Sequence, residues 1–171
     1  MKNRHSIRLQ SWNYSSNGYY FVTVCSQNRE YLFGEIVDGE MIKNENGRIV
    51  DKIWKTLLDH HDIGLDEYQI MPNHFHGIVI IVGATRGSPI NQKGASRRAP
   101  TTLGTIIGLF KSECTKQIRK MQNDKYFQVW QRNYYEHIIR NENELDRIQK
   151  YILMNPEMWN RDRNNKINLD L

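Results

Sequence analysis

The sequence predicts a single α+β domain, an antiparallel or mixed sheet of about five strands flanked by α-helices. Three observations carry this. At 171 residues the chain has one domain's length and can bury a sizeable core. Short β-branched and aromatic runs are interleaved with segments of helical period, so strands and helices belong to one unit. An Asp-Gly dipeptide between two short apolar runs marks a hairpin, and a hairpin requires antiparallel pairing.

The elements follow in order. Tyr19 to Cys25 (Tyr-Tyr-Phe-Val-Thr-Val-Cys) reads as a central strand. Tyr31 to Val37 and Glu40 to Ile42 form a hairpin around Asp38-Gly39, whose residues supply the positive φ angles of a two-residue turn. Asn44 or Asn46 caps a helix with Ile49, Val50, Ile53, Trp54, Leu57 and Leu58 on one stripe, which packs on a sheet. Tyr68 to Met71 and His74 to Val82 read as one strand interrupted near Pro72, or as two short ones. Gly83 to Pro100, rich in Gly, Ser, Pro, Asn and Arg, is expected to be a mobile loop. Thr101 or Thr102 opens a second helix with Leu103, Ile106, Ile107, Phe110, Cys114 and Ile118 facing inward. Phe127 to Tyr135 is aromatic and reads as extended. Asn141 or Asn143 caps a third helix, Glu144 to Met154, with Leu145, Ile148 and Ile152 inward and Pro156 ending it. From Asn160 the chain is polar and is expected to fray.

Composition narrows the function classes. The longest apolar run, Gly77 to Val82, is far short of the ~20 residues a membrane span needs. The start has no apolar stretch behind its charges, so no signal peptide is read, and a soluble cytoplasmic protein is the expectation. Two cysteines, Cys25 and Cys114, make neither a disulfide scaffold nor a cysteine-only zinc site. The net charge is +5, but it is concentrated. Between Arg86 and Lys120, eight basic residues stand against Glu113 alone, leaving the rest slightly acidic. That distribution suits a polyanion partner; a solvated loop and helix face would look the same.

Chemistry concentrates in Met71-Pro-Asn-His-Phe-His-Gly77. On a strand, residues i and i+2 share a face, so His74 and His76 present two imidazoles side by side. Neutral imidazoles at that spacing can chelate a divalent cation, while two structural histidines at a strand mouth are the competing account. Tyr151 and Asn155 stand four apart on the third helix and hence on one side of it. Taken alone, that spacing has an ordinary explanation in an amphipathic tyrosine and a helix-ending asparagine.

Together these pieces form an ordered set. Met71-Pro-Asn-His-Phe-His-Gly-Ile-Val79, Trp130-Gln131, Tyr135-Glu-His137 and Tyr151-x-x-x-Asn155-Pro156 resemble the REP-associated tyrosine transposases of the HUH single-strand nuclease superfamily. The resemblance spans about Tyr19 to Trp159. It implies a ferredoxin-like HUH fold over a single domain of residues 1–171, with the histidine pair on a central strand. It also implies Tyr151 as nucleophile, and His74, His76 and Asn155 as ligands of Mg2+ or Mn2+. The implied activity is cleavage and rejoining of single-stranded DNA beside hairpins through a 5′-phosphotyrosine, by monomers or by homodimers that supply the tyrosine in trans.

Other residues have lesser claims. His137 is expected to make a structural hydrogen bond ahead of direct catalysis. Lys111, in a Phe-Lys-Ser segment, is a phosphate contact, a general acid or a solvated lysine. Arg97, Arg98, Lys116, Arg119 and Lys120 are candidate DNA contacts. Trp130 could stack on an unpaired base, although large aromatics belong more often to the core. Tyr134 and Tyr135 are rival nucleophiles by chemistry, with packing the favoured role. His5, His60 and His61 read as surface residues. Two other functions fit the same residues. One is a hydrolase that activates water with His74, His76 and Asn155, and the other is a non-catalytic nucleic-acid-binding module.

Overall fold

A computed structural model describes residues 17–59, 63–81 and 102–165. Along these residues run β1 (Gly18–Cys25), β2 (Gly34–Val37), β3 (Glu40–Lys43), α1 (Glu45–Thr56), β4 (Ile63–Met71), β5 (His74–Ile81), α2 (Leu103–Gln122), β6 (Tyr135–Ile139) and α3 (Glu142–Met154). The main sheet has the order β4-β5-β1-β6 with every neighbour antiparallel, and β2 and β3 form a separate ribbon. The fold is α+β as expected, with four strands in the main sheet and two beside it rather than about five in one.

Local chemistry sets the boundaries. Asp38 and Gly39 both take positive φ, closing the ribbon turn. Each α-helix starts at a side-chain cap. Asn44 Oδ1 accepts from Gly47 N at 3.0 Å, Thr102 Oγ1 from Thr105 N at 3.2 Å, and Asn141 Oδ1 from Glu144 N at 2.9 Å. Asn46, the other candidate for α1, is buried instead and donates to the Leu32 carbonyl.

Three expectations need correction. β4 and β5 are two strands, one of the two alternatives, but β4 begins at Ile63, ahead of Tyr68, with a bulge between Leu65 and Tyr68 that interrupts the ladder at Asp66-Glu67. The last sheet strand is Tyr135–Ile139, not Phe127 to Tyr135. The earlier segment meets the sheet only at a Ser26–Trp130 bridge, because Phe127, Val129, Trp130 and Tyr134 pack into the core. The chain beyond Asn160 does not fray at once: Asp162, Asn164 and Asn165 are buried. The segment from Gly83 to Pro100, with Arg97 and Arg98, lies outside the described residues, as do His5, His60 and His61.

The sheet separates two kinds of surface. Tyr20, Val22, Val24, Phe75 and Val79 face α1 and α2 in the main core. Phe21 and Ile78 face the other way, with Ile139, against Leu145, Ile148 and Ile152 of α3. The α3 stripe therefore docks on its own sheet. Strand parity puts His74 and His76 on this second face, and the register aligns Gln69, His76, Thr23 and Tyr135 across four strands.

Gly77 points the opposite way, under Trp54. A Cβ there would lie 2.8 Å from both Phe75 Cε1 and Trp54 Cζ2, with Trp54 and Phe75 already packed at 4.5 Å between ring centroids. Gly77→Ala is therefore expected to destabilise the fold by about 1–3 kcal/mol in urea unfolding followed by tryptophan fluorescence. A variant as stable as the parent would mean that this layer has slack.

Candidate metal and tyrosine site

The site begins with the turn between β4 and β5. The Asn73 amide nitrogen donates to the Asn164 carbonyl at 2.7 Å and to the Arg29 carbonyl at 3.2 Å. That fixes which way the amide points, so its oxygen faces His74 Nδ1 at 2.8 Å and can only accept. His74 therefore carries its proton on Nδ1 and turns the Nε2 lone pair inward. His76 Nδ1 lies 2.8 Å from the Thr23 hydroxyl, which can accept or donate and so supports either tautomer. The two Nε2 atoms stand 2.9 Å apart.

An acidic group joins them. Asp162 Oδ2 is 4.0 Å from His74 Nε2, and the ligand atoms of His74, His76 and Asp162 lie within 4.8 Å of one another, all buried. Two imidazole nitrogens and a carboxylate oxygen form a donor set that can hold a divalent cation. Asn155, expected as the third ligand, is 1% exposed and donates its Nδ2 to Asp162 Oδ2 at 2.9 Å. Its Oδ1 is buried with no hydrogen-bond partner, a state that a cation or water would relieve. The oxygen donors thus include a carboxylate from a segment whose polar sequence suggests a fraying tail.

That carboxylate is held by residues distant in sequence. Arg29 Nη1 donates to Asn164 Oδ1 at 2.6 Å, the Tyr31 hydroxyl to Asn165 Oδ1 at 2.6 Å, and Asn165 Nδ2 to the Trp159 carbonyl. The Asn164 backbone N–H donates to Asp162 Oδ1. No helical or strand period could have revealed Asp162, whose position depends on these contacts. Thr23 left a fainter sign, a polar residue on the alternate face of an apolar strand.

Tyr151 reaches the same point from α3. Its hydroxyl is 3.3 Å from His76 Nε2, and its ring packs edge-on against Phe21 with centroids 6.2 Å apart. It stays 41% exposed, so an extended ligand can reach it. Burial and the nearby Asp162 charge raise the phenol above its ordinary value, opposed by the Arg163 charge and by the neighbouring Asn155 amide. Burial pushes His74 down to about 3, helped by the Arg29 charge, and burial and the neighbouring His74 push His76 well below its ordinary range. At neutral pH both rings are neutral, the state a metal ligand requires.

The other candidates lie outside the His74, His76 and Asp162 cluster. His137 Nε2 is 2.8 Å from Glu144 Oε1, joining β6 to the start of α3. Lys111 donates to the carbonyls of Gln131 and Arg132 at 2.7 and 3.0 Å, so its ammonium holds backbone. Trp130 is 8% exposed and packs on Phe33 and Phe110, in keeping with the core reading. Tyr134 also packs against the core. Tyr135 lies on the site face, across from Thr23. Lys116, Arg119 and Lys120 line an open groove of about 1030 Å³ between α2 and residues 123–132, where Arg119 Nε also donates to the Phe127 carbonyl.

The lowered histidines make metal-free stability depend on pH. Their folded pKa values lie below the unfolded value of about 6.5, so as pH falls below that point the unfolded chain takes up protons that the native state refuses. Stability is expected to fall between about pH 6.5 and 5, by up to about 1.4 kcal/mol per pH unit for each imidazole. Urea unfolding in a chelator checks this, and His74→Gln should flatten the slope whatever it does to the absolute stability.

No protein-family model matches the chain. Among the described residues, no helix is long and apolar enough to cross a membrane. An uncharacterized protein of Haemophilus influenzae is 41% identical over 171 positions, covering 94% of this chain and 92% of that one. A solved structure of a REP-associated tyrosine transposase bound to a REP hairpin superposes with a TM-score of 0.56 at 17% identity, over 90% of this chain and 74% of that one. The chain belongs to one family with the Haemophilus influenzae protein, and its fold is that of the REP-associated tyrosine transposases.

Proposed function

We propose that this protein cleaves and rejoins single-stranded DNA beside hairpins, with Tyr151 as the nucleophile. The observation that carries the reading is the Tyr151 hydroxyl 3.3 Å from His76 Nε2, at the edge of a buried cluster that also holds His74, Asp162 and Asn155. The Tyr151 hydroxyl thus meets a neutral imidazole at the edge of a cluster that also holds a buried amide oxygen without a hydrogen-bond partner. The fold shared with a hairpin-bound transposase supports the substrate class.

His74 and His76 would hold a divalent cation through Nε2, with Asp162 and the Asn155 oxygen as oxygen donors. Magnesium and manganese suit such a mixed set, and two imidazoles favour manganese over magnesium. Bound there, the cation supplies Lewis-acid polarisation of the phosphate and a template for its orientation. The chain supplies the rest. α3 holds the phenol in place, and Phe21 keeps one edge of its ring dry. Tyr151 Oη attacks phosphorus, and the bond to the 3′ oxygen breaks as the new O–P bond forms. The phenol loses its proton and the departing 3′ oxygen gains one. A 5′-phosphotyrosine and a free 3′-hydroxyl result, and the reverse attack restores the strand without an external energy source.

Outside the catalytic face, the groove between α2 and residues 123–132 offers Lys116, Lys120, Lys125 and Arg132 to phosphates. Tyr126 is 75% exposed beside it, with Lys125 Nζ 4.9 Å from its ring centroid, as a stacking surface for an unpaired base would be.

With an end-labelled hairpin oligonucleotide and manganese, the wild type should give a labelled band at protein mass on a denaturing gel, and Tyr151→Phe should give none. Cutting that survives in Tyr151→Phe would move the assignment to water activation, and binding without cutting would leave a binding module. In calorimetric titrations Asp162→Asn is expected to weaken manganese binding by at least about tenfold; unchanged affinity would remove Asp162 from the ligand set. Lys116→Glu with Lys120→Glu should weaken hairpin binding and reduce the slope of log K against log salt by about 0.9 for each phosphate no longer neutralised.

A further inference from the structure

We propose that Arg163 grips the phosphodiester presented to Tyr151 and neutralises the charge that builds on it during attack. This rests on the tyrosine-nucleophile reading above.

The placement comes from the segment that carries it. Asp162, Asn164 and Asn165 are buried and bonded to Asn155, Arg29, Tyr31, Asn73 and Trp159. Arg163 sits among these anchors but is exposed, so its backbone is fixed while its side chain reaches outward. The guanidinium carbon lies 5.7 Å from the Tyr135 ring centroid. Tyr135 is the β6 member of the cross-strand row that continues through Thr23 to His76, two strand spacings or about 10 Å away. Tyr135 and Tyr151 each pack edge-on against Phe21, at 6.3 and 6.2 Å between centroids. Arg163 therefore overlooks the same exposed face as the Tyr151 hydroxyl.

Charge points the same way. The Arg163 charge is felt at Tyr151, His74 and His76. The other arginine acting on His74 is Arg29, which is bonded to Asn164. The Arg163 guanidinium, by contrast, rests on an aromatic face. A planar fork of donors on a rigid support, beside a nucleophile and open to solvent, matches a phosphodiester. In the transferring step the Tyr151 oxygen–phosphorus bond forms and the bond to the 3′ oxygen breaks, and the phosphoryl oxygens carry the growing negative charge. A preorganised cation at that position stabilises it.

The experiment combines protein and DNA changes. Hairpin oligonucleotides carry a single neutral methylphosphonate, moved one linkage at a time through the flanking single strand. Dissociation constants are measured in the Tyr151→Phe background, so cleavage does not intervene, with Arg163 intact and with Arg163→Gln. The expected result is one linkage whose neutralisation weakens binding about tenfold with Arg163 and less than twofold without it. In single-turnover adduct formation by the otherwise wild-type enzyme, Arg163→Gln should then be slower by about 100-fold, with Arg163→Lys recovering part of the rate. The absence of any such linkage overturns the proposal, as does an Arg163→Gln rate within twofold of wild type. If the linkage is found but wild type forms no adduct, Arg163 is a phosphate contact and the nucleophile reading fails alone. If the protein binds no hairpin DNA, both fail.

Discussion

The side-chain amide of Asn73 is the group on which the site depends. Its nitrogen donates to two backbone carbonyls, one after β1 and one in the C-terminal segment, and its oxygen accepts from His74. One planar group thereby joins three parts of the chain and sets the protonated nitrogen of the first imidazole. Without those two donations the amide could turn over, and His74 could present either nitrogen inward. Because the Asn73–Asn164 bond also positions the segment carrying Asp162, histidine tautomer and carboxylate placement are one problem with one solution.

Burial acts on the site in opposite directions. It disfavours positive imidazolium and negative phenolate alike, so both histidines fall and Tyr151 rises. The folded protein keeps all three groups neutral. For His74 and His76 neutrality is the ligand state, so burial prepares them. For Tyr151 burial raises the phenol, opposed by the Arg163 charge and by the Asn155 amide. The division explains why the histidines lie at the bottom of the site while the tyrosine keeps an open side.

Periodicity made most of the architecture legible. The three caps, the Asp38-Gly39 turn, the inward residues of α2 and the His74–His76 pairing all depend on local chemistry or on a short repeat, and the structure realises each. What escaped depends on contacts between distant segments. Trp130 and Phe127 look like strand residues by composition, but their rings are drawn to the α-helical side of the sheet, and the strand forms later at Tyr135–Ile139. Asp162 sits in a polar run that propensity reads as solvent-exposed. Its burial is compensated by bonds from Asn155 and the Asn164 backbone, neither visible in the order of residues. Asn155 stood out only through the resemblance carried by Tyr151-x-x-x-Asn155-Pro156, since its spacing to Tyr151 alone has an ordinary explanation, and nothing in the sequence marked it as the group that donates to Asp162.

Lys111 has a structural bond set that its sequence motif does not announce. A lysine at that place on α2 invites assignment to phosphate or proton transfer, yet its ammonium is committed to the carbonyls of residues 131 and 132, and desolvation lowers its pKa. Those carbonyls belong to the stretch that leaves the basic groove, crosses the end of β1 through the Gln131–Cys25 backbone bond and enters β6 at Tyr135. A positive charge that bridges successive carbonyls replaces the ladder bonds this stretch lacks, and so fixes its path without a strand. The same stretch therefore connects the groove on one face of the sheet to Tyr135 on the other. Loss of the Lys111 ammonium would release the carbonyls of this stretch, and Lys111 itself lines the groove.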